Sequence, residues 1–75
     1  MMTRVWSVTK GFQKGTKVEE YKYNDGTLHY SFKTHDMRTH NIKDFDEAMK
    51  IVKRWGMEDI TERMIEAGWI RKEDF

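Results

Sequence analysis

The architecture of this chain follows from a hairpin signal at residues 21–30, which read Tyr-Lys-Tyr-Asn-Asp-Gly-Thr-Leu-His-Tyr. The dipeptide Asp25-Gly26 favours a tight turn, because these residue types readily adopt the positive φ angles that such turns require. Apolar and polar residues alternate on both sides of it, which predicts strands over residues 17–23 and 27–33. The segment therefore predicts an antiparallel β-hairpin.

The register of this hairpin is predicted from its aromatic pattern. With residues 25–26 as a two-residue loop, Tyr23 faces Leu28 and Tyr21 faces Tyr30, so aromatic pairs share the core face. A three-residue loop would place a lysine opposite Leu28. Because a one-residue slip moves every side chain to the other face, the hydrophobic pattern favours the two-residue loop.

A further strand is predicted before the hairpin. Residues 4–10 alternate and are rich in β-branched side chains, and residues 11–16 contain two glycines and predict a loop. Val18 falls on the wrong face of this scheme, so a bulge near residues 19–20 would be needed. The predicted core face of the meander carries Trp6, Val8, Tyr21, Tyr23, Leu28, Tyr30 and Phe32.

The segment at residues 34–43 is predicted as a loop, or as a loop followed by an edge strand over residues 38–42. Beyond it the hydrophobic period changes to that of a helix. Asp44 and Glu47 have capping-box spacing, and Gly56 supplies a stop. The apolar stripe of this helix consists of Phe45, Ala48, Met49, Val52 and Trp55.

A second helix is predicted between Asp59 and Gly68, and the chain then returns Trp69 and Ile70 to the core. The fold class is therefore α+β: a meander of three or four strands followed by two short helices packed on one sheet face. Residues 1–75 form one domain, made of a β-meander, a loop or edge strand, a helical hairpin and a tail (residues 1–33, 34–43, 44–70 and 71–75).

The composition restricts the function classes. The 75 residues include no cysteine, which excludes disulfides and thiolate zinc sites, while ten aromatic residues and six methionines supply one modest core. Residues 1–10 contain no uninterrupted apolar stretch, so no signal peptide is predicted. No segment approaches the apolar length of a membrane span, and a cytoplasmic location is expected.

Charge is distributed unevenly along the chain. Residues 1–43 carry eight basic and four acidic side chains, a net +4, whereas residues 44–75 carry six and nine, a net −3. Antiparallel topology places the loop at residues 11–15 and the segment after the third strand at the same end of the sheet. The predicted binding residues at this end are Lys10, Phe12, Lys14, Lys17, Lys33, His35, Arg38 and His40.

A basic cluster with an accessible aromatic ring fits two kinds of partner. It can contact phosphates and stack a base, or it can dock an acidic protein surface. Lysines in loops also serve solubility alone. His35, Asp36 and His40 lack a recognised metal-ligand spacing, so no metal and no cofactor are predicted.

No catalytic motif is present: neither a Ser-His-Asp arrangement nor a phosphate-binding glycine loop occurs. The best enzymatic hypothesis is acid–base cleavage of RNA, for which His29 or His35, Tyr30 and Lys33 could supply the groups. Because these residue types are common in small proteins without activity, a non-enzyme is predicted.

The sequence favours a small protein-interaction module, a regulator or inhibitor of a target protein that binds through the sheet edge and the basic loops. An origin in a phage or mobile element would suit so short a regulator. The alternatives are nucleic-acid binding by the basic loops and, third, a ribonuclease-type toxin. A homodimer would add buried area, and an exposed Trp55 or Trp69 would be a candidate hot spot.

Overall fold

The computed structural model describes residues 1–71, which form a five-stranded antiparallel sheet with two helices. The strand order is β4-β3-β2-β1-β5. The α+β class and the order of strands before helices are confirmed, the edge strand β4 is present, and the two-residue β5 was not predicted. The elements are β1 Met2–Ser7, β2 Lys17–Lys22, β3 Leu28–Lys33, β4 Thr39–Ile42, α1 Phe45–Trp55, β5 Glu58–Asp59 and α2 Thr61–Glu66.

The predicted register of the central hairpin is wrong by one residue. Lys22 pairs with Leu28, and the Tyr23 amide donates to the Thr27 carbonyl at 2.9 Å. The loop therefore contains three residues, and Gly26 closes it with φ of 86°. A type I turn followed by a left-handed glycine is the usual geometry of three-residue hairpin loops, so the Asp-Gly signal located the turn without fixing its length.

The shifted register accounts for the misplaced valine. Val18 pairs with Phe32 and is fully buried on the face that α1 covers, so no bulge is needed in β2. The irregularity lies in β1 instead, between Met2 and Arg4. Tyr21 pairs with His29 and consequently points away from α1. Tyr21 and Tyr23 therefore do not lie on the core face, whereas Leu28 lies on it as predicted but is 49% exposed.

The main core lies between α1 and the sheet. It takes one apolar side chain from each of the first four strands, and α1 contacts β2 and β3 above them. The carboxylate of Glu20, only 5% exposed, also points to this face and accepts from the hydroxyls of Tyr30 and Thr3 at 2.7 and 2.9 Å. The buried cluster consists of Trp6, Val18, Tyr30, Ile42, Ala48 and Met57.

Helix α1 has the ends that its sequence predicts. Asp44 accepts a hydrogen bond from the Glu47 amide at 2.9 Å, and Glu47 accepts one from the Lys43 amide at 3.2 Å. Gly56 follows the last turn in the left-handed conformation, with φ of 63°. The capping box and the glycine stop are therefore confirmed.

The second helix lies beside β1. Asp59 accepts from the Thr61 amide at 2.9 Å, and α2 contacts β1. Val5, which alternates with Trp6 and so faces away from the main core, is fully buried; we infer that α2 covers it, so the two helices do not share one sheet face as the sequence predicted. Ile70 is buried as predicted, but Trp69 is 72% exposed, so its predicted return to the core is wrong. Most of the predicted tail, residues 72–75, lies outside the described residues.

Candidate binding site at the loop end of the sheet

Two connections meet at one end of the sheet, and we call this region, residues 8–17 and 33–39, the loop end. The amide of His35 donates to the Thr16 hydroxyl at 3.1 Å, and the same hydroxyl lies 3.2 Å from His35 Nδ1. The ring of Phe12 meets the His35 ring edge-on, with centroids 5.7 Å apart. These contacts hold the first loop against the turn before β4.

Each connection is closed by its own hydrogen bonds. In the first loop, the Val8 amide donates to the Thr16 carbonyl at 2.8 Å, and the Gly15 amide donates back to the Val8 carbonyl at 3.0 Å. In the second, the Thr34 amide donates to the Arg38 carbonyl at 2.9 Å. These backbone hydrogen bonds fix the path of both connections and so determine where their side chains project.

Two large apolar side chains project from this surface. Phe12 is 85% exposed and Met37 is 90% exposed. Met37 has φ of 72°, a left-handed conformation that non-glycine residues rarely adopt. The turn that holds it is closed by the Met37 amide, which donates to the Thr34 carbonyl at 3.0 Å. The fold therefore presents each apolar side chain to solvent at the tip of a connection.

The cations of the loop end are partly neutralised. Lys33 Nζ lies 2.8 Å from Glu19 Oε1, and Lys17 Nζ lies 4.0 Å from Glu19 Oε2. The hydrogen bond that Lys33 donates to Glu19 is the main reason that the pKa of Lys33 is raised. Arg38 Nε lies 3.4 Å from Asp36 Oδ2. The loop end is accordingly less positive than its sequence indicates.

Most of the predicted binding residues are brought together. A surface depression of about 440 Å³ is lined by Lys14, Lys17, Lys33 and His35, together with Met37 and other loop-end residues. Within residues 1–71, neither Lys10 nor Lys14 takes part in an ion pair. Lys10 and Arg38 belong to the same two connections without lining the depression, and His40 lies apart from the group.

His40 belongs to a different face. It pairs with Phe32, and their ring centroids lie 6.0 Å apart on the side of the sheet that α1 covers. The depression at the loop end is lined instead by Thr39, the neighbouring residue of β4. Because successive side chains of a strand alternate, His40 points away from the other predicted residues.

The groups of the hypothetical ribonuclease do not converge. Tyr30 follows His29 directly in β3, so the two side chains point to opposite faces. The Tyr30 hydroxyl donates to Glu20 at 2.7 Å, and burial is the main cause of its raised pKa. Lys33 and the alternative base His35 both line the loop-end depression, but the Tyr30 hydroxyl lies on the opposite face of the sheet.

Two residues of the site were missed at the level of sequence. Met37 is a lone apolar residue in the polar segment 34–41, a pattern that could have indicated an exposed side chain. Glu19 carries a weaker signal: it lies two positions after Lys17, which predicts one shared strand face, but the pairing with its main partner Lys33 depends on the hairpin register.

No protein-family model, curated protein or solved structure matches this chain. Across residues 1–71, no helix has the length and apolarity needed to cross a membrane. In the same part of the chain, no group of three or more histidine, aspartate or glutamate side chains is arranged to hold a metal ion.

Proposed function

We propose that this protein is a small, non-enzymatic protein-interaction module, a regulator or inhibitor that binds its target through the loop end. The observation that carries the proposal is the pair of projecting side chains, Phe12 and Met37, at 85% and 90% exposure. Large apolar side chains surrounded by polar groups are typical of the anchors that supply most of the binding energy at protein interfaces.

The surroundings of these anchors indicate an acidic target surface. Lys10 and Lys14 form no ion pair within the described residues, and His35 lies beneath Phe12. A partner that offers an apolar pocket with carboxylates around it would complement this pattern, and the charges would speed and orient the encounter.

The edge strand β4 supports the proposal with a second element. The hydrogen bond that closes the turn joins Thr34 and Arg38, so alternation along the antiparallel ladder directs the backbone groups of Thr39 and Asn41 outward. An extended segment of the target could add to the sheet there, directly beside Met37. Both features lie on the same end of the molecule.

Nucleic-acid binding at the loop end is the second candidate. The exposed Phe12 and the two lysines without ion pairs favour it, because an aromatic ring and nearby cations can stack a base and contact phosphates. The ion pairs of Lys17, Lys33 and Arg38 weaken it, since cations held by carboxylates contribute less to phosphate binding. The apolar Met37 also suits a protein partner better.

The test is quantitative capture of partners from source-cell lysate, with and without nuclease. We expect a stoichiometric protein that survives nuclease and whose recovery falls by about tenfold or more with Phe12→Ala/Met37→Ala, the loss of two anchors. Lys14→Glu should reduce recovery by a smaller factor.

The matched control is Trp69→Ala, which removes another exposed aromatic ring, in the segment after α2. Recovery equal to wild type from this variant is expected. If Trp69→Ala loses the partner and the double variant keeps it, the interface lies away from the loop end. If nuclease treatment removes the partners, nucleic-acid binding is favoured.

A further inference from the structure

The sheet face turned away from α1 holds a second depression, over β2, β3 and β4. It has a volume of about 440 Å³ and is separate from the loop end. Its floor is Ser31, a small side chain between larger ones, and Asn41 is the neighbour of Ser31 on β4. The walls include Tyr21, Tyr23 and His29.

The aromatic wall of this depression is built in advance. The rings of Tyr23 and His29 stack with centroids 4.0 Å apart and planes 23° from parallel. Thr27 donates its hydroxyl proton to Asp25 at 2.6 Å, so at 3.2 Å it accepts a hydrogen bond from His29 Nε2. This relay fixes the ring orientation of His29, and therefore that of the stacked pair.

The floor offers hydrogen-bonding groups. Within the described residues, Ser31 Oγ is a buried side-chain atom that has no hydrogen-bond partner. Buried hydroxyls without partners are uncommon because the unmade bond costs free energy, and rotation of the Ser31 side chain would be needed to bring this hydroxyl to a ligand in the depression. Asn41 is exposed, and its amide offers both a donor and an acceptor beside Ser31.

The side chains on this face are more polar than Phe12 and Met37, the apolar side chains at the tips of the loop end. The side chains that β2 and β3 place here are polar, charged or aromatic, and none is aliphatic: Lys17, Glu19, Tyr21, His29, Ser31 and Lys33. Glu19 is only 4% exposed and pairs with both Lys33 and Lys17, so these three side chains together carry a net charge of +1. Lys33 lies four residues from His29 on the same face, about 13 Å along the strand.

We propose that this face binds single-stranded nucleic acid. An unpaired base stacks on the Tyr23–His29 pair, its edge bonds to the exposed amide of Asn41, and the backbone runs toward Lys17 and Lys33, which keep one positive charge in excess of Glu19. Stacking on preformed aromatic rings with cations beside them is how many proteins hold unpaired strands. The inference does not rest on the loop-end proposal, because its stacking and hydrogen-bonding groups are different residues.

The test is fluorescence anisotropy of the full chain with short labelled oligouridylate and oligothymidylate, and with a duplex of the same length. We expect single strands to bind more tightly than the duplex, whose bases are not free to stack. Tyr23→Ala should weaken binding by about five- to a hundredfold, the range for loss of one stacking ring. Leu28→Ala, which removes a similarly exposed side chain on the opposite face, should bind as wild type does.

Thermal unfolding followed by circular dichroism verifies that each variant is folded, and His29→Ala provides a second stacking variant. Failure of the wild type to bind at protein concentrations up to about 100 μM and low ionic strength would overturn the inference. So would equal affinity for the duplex. Binding kept by Tyr23→Ala and lost by Lys14→Glu would also overturn it, because the nucleic acid would then lie at the loop end.

Discussion

Two successive glutamates on β2 lie in opposite environments. Glu20 points toward α1 and accepts hydrogen bonds from two hydroxyls, those of Tyr30 and Thr3. Glu19 points to the other face and is bound by the ammonium group of Lys33 at 2.8 Å. Both side chains are buried, at 5% and 4% exposure.

The two glutamates show how the faces of the sheet differ: the face under α1 stabilises the fold, and the other face carries the proposed binding groups. On the α1 side, neutral donors from β1 and β3 satisfy the carboxylate of Glu20 and join three strands inside the core. On the other side, the carboxylate of Glu19 holds Lys33 and Lys17 at the loop end. The second arrangement lowers the local positive charge and leaves the apolar tips as the prominent feature of that surface.

The largest expected effect tests which face carries the core. Val18→Ala should lower the free energy of unfolding by about 2–3 kcal/mol, because it removes two buried methyl groups and leaves a cavity. Lys17→Ala, on the neighbouring position of the other face, should cost less than about 1 kcal/mol. Urea unfolding measures both. A loss below about 1 kcal/mol for Val18→Ala would contradict the observed register.

The next effect compares the two glutamates directly. Tyr30→Phe removes a hydroxyl that donates to buried Glu20 and should cost about 1.5–3 kcal/mol, the usual range for a bond to a charged group. Tyr21→Phe removes the equivalent donor to Glu19 and should cost about 0.5–1 kcal/mol, since Lys33 still binds that carboxylate. If the two variants lose equal free energy of unfolding in urea, the environments of Glu20 and Glu19 do not differ in this way.

A third effect concerns alkaline pH. Burial is the main cause of the raised pKa of Tyr30 and of Tyr21 in the folded protein, followed by their hydrogen bonds to glutamate. The folded state therefore holds these protons more tightly than the unfolded state. The resulting stability is complete below the ordinary tyrosine pKa of 10.0 and is lost as pH rises through the folded-state values.

The measurement is the free energy of unfolding across this pH range. We expect it to fall by roughly 1 kcal/mol for each pH unit above 10 on account of buried Tyr30, with a smaller contribution from the half-buried Tyr21. The fall should be shallower in Tyr30→Phe, which lacks one of the two groups. The same slope in the variant and the wild type would mean that Tyr30 does not cause the loss.

The smallest effect on stability is expected at the loop-end tips. Phe12→Ala and Met37→Ala should each change the free energy of unfolding by less than about 0.5 kcal/mol, because both side chains are exposed. A loss above about 1 kcal/mol for either variant would indicate that the side chain packs against the fold and is not presented to a partner.

Local signals in the sequence predicted the helices and the topology. Asp44, Glu47 and Gly56 act through neighbouring backbone groups, so their roles are readable from spacing alone. The meeting of the two connections at one end of the sheet follows from strand direction. The loop end could therefore be located before its contacts were known.

These local signals could not predict the hairpin register, because the polar residue Glu20 occupies a core position. Hydrophobicity alone placed Tyr21 in the core, where the structure has Glu20 satisfied by Tyr30. The misfit of Val18 was the evidence against the predicted register. The same error concealed the pairing of Lys33 with Glu19, and with it the partial neutralisation of the loop end.

The central claim, that the loop end docks a target protein, is tested most directly by site-specific photo-crosslinking in source cells. A benzophenone side chain replaces Phe12 in one variant and Trp69 in another, two exposed aromatic positions in different parts of the fold. The account predicts a specific, nuclease-resistant crosslinked protein from position 12 that is lost when Met37→Ala and Lys14→Glu are added, and none from position 69. Crosslinks from position 69 alone, or no protein crosslink from position 12, would contradict it.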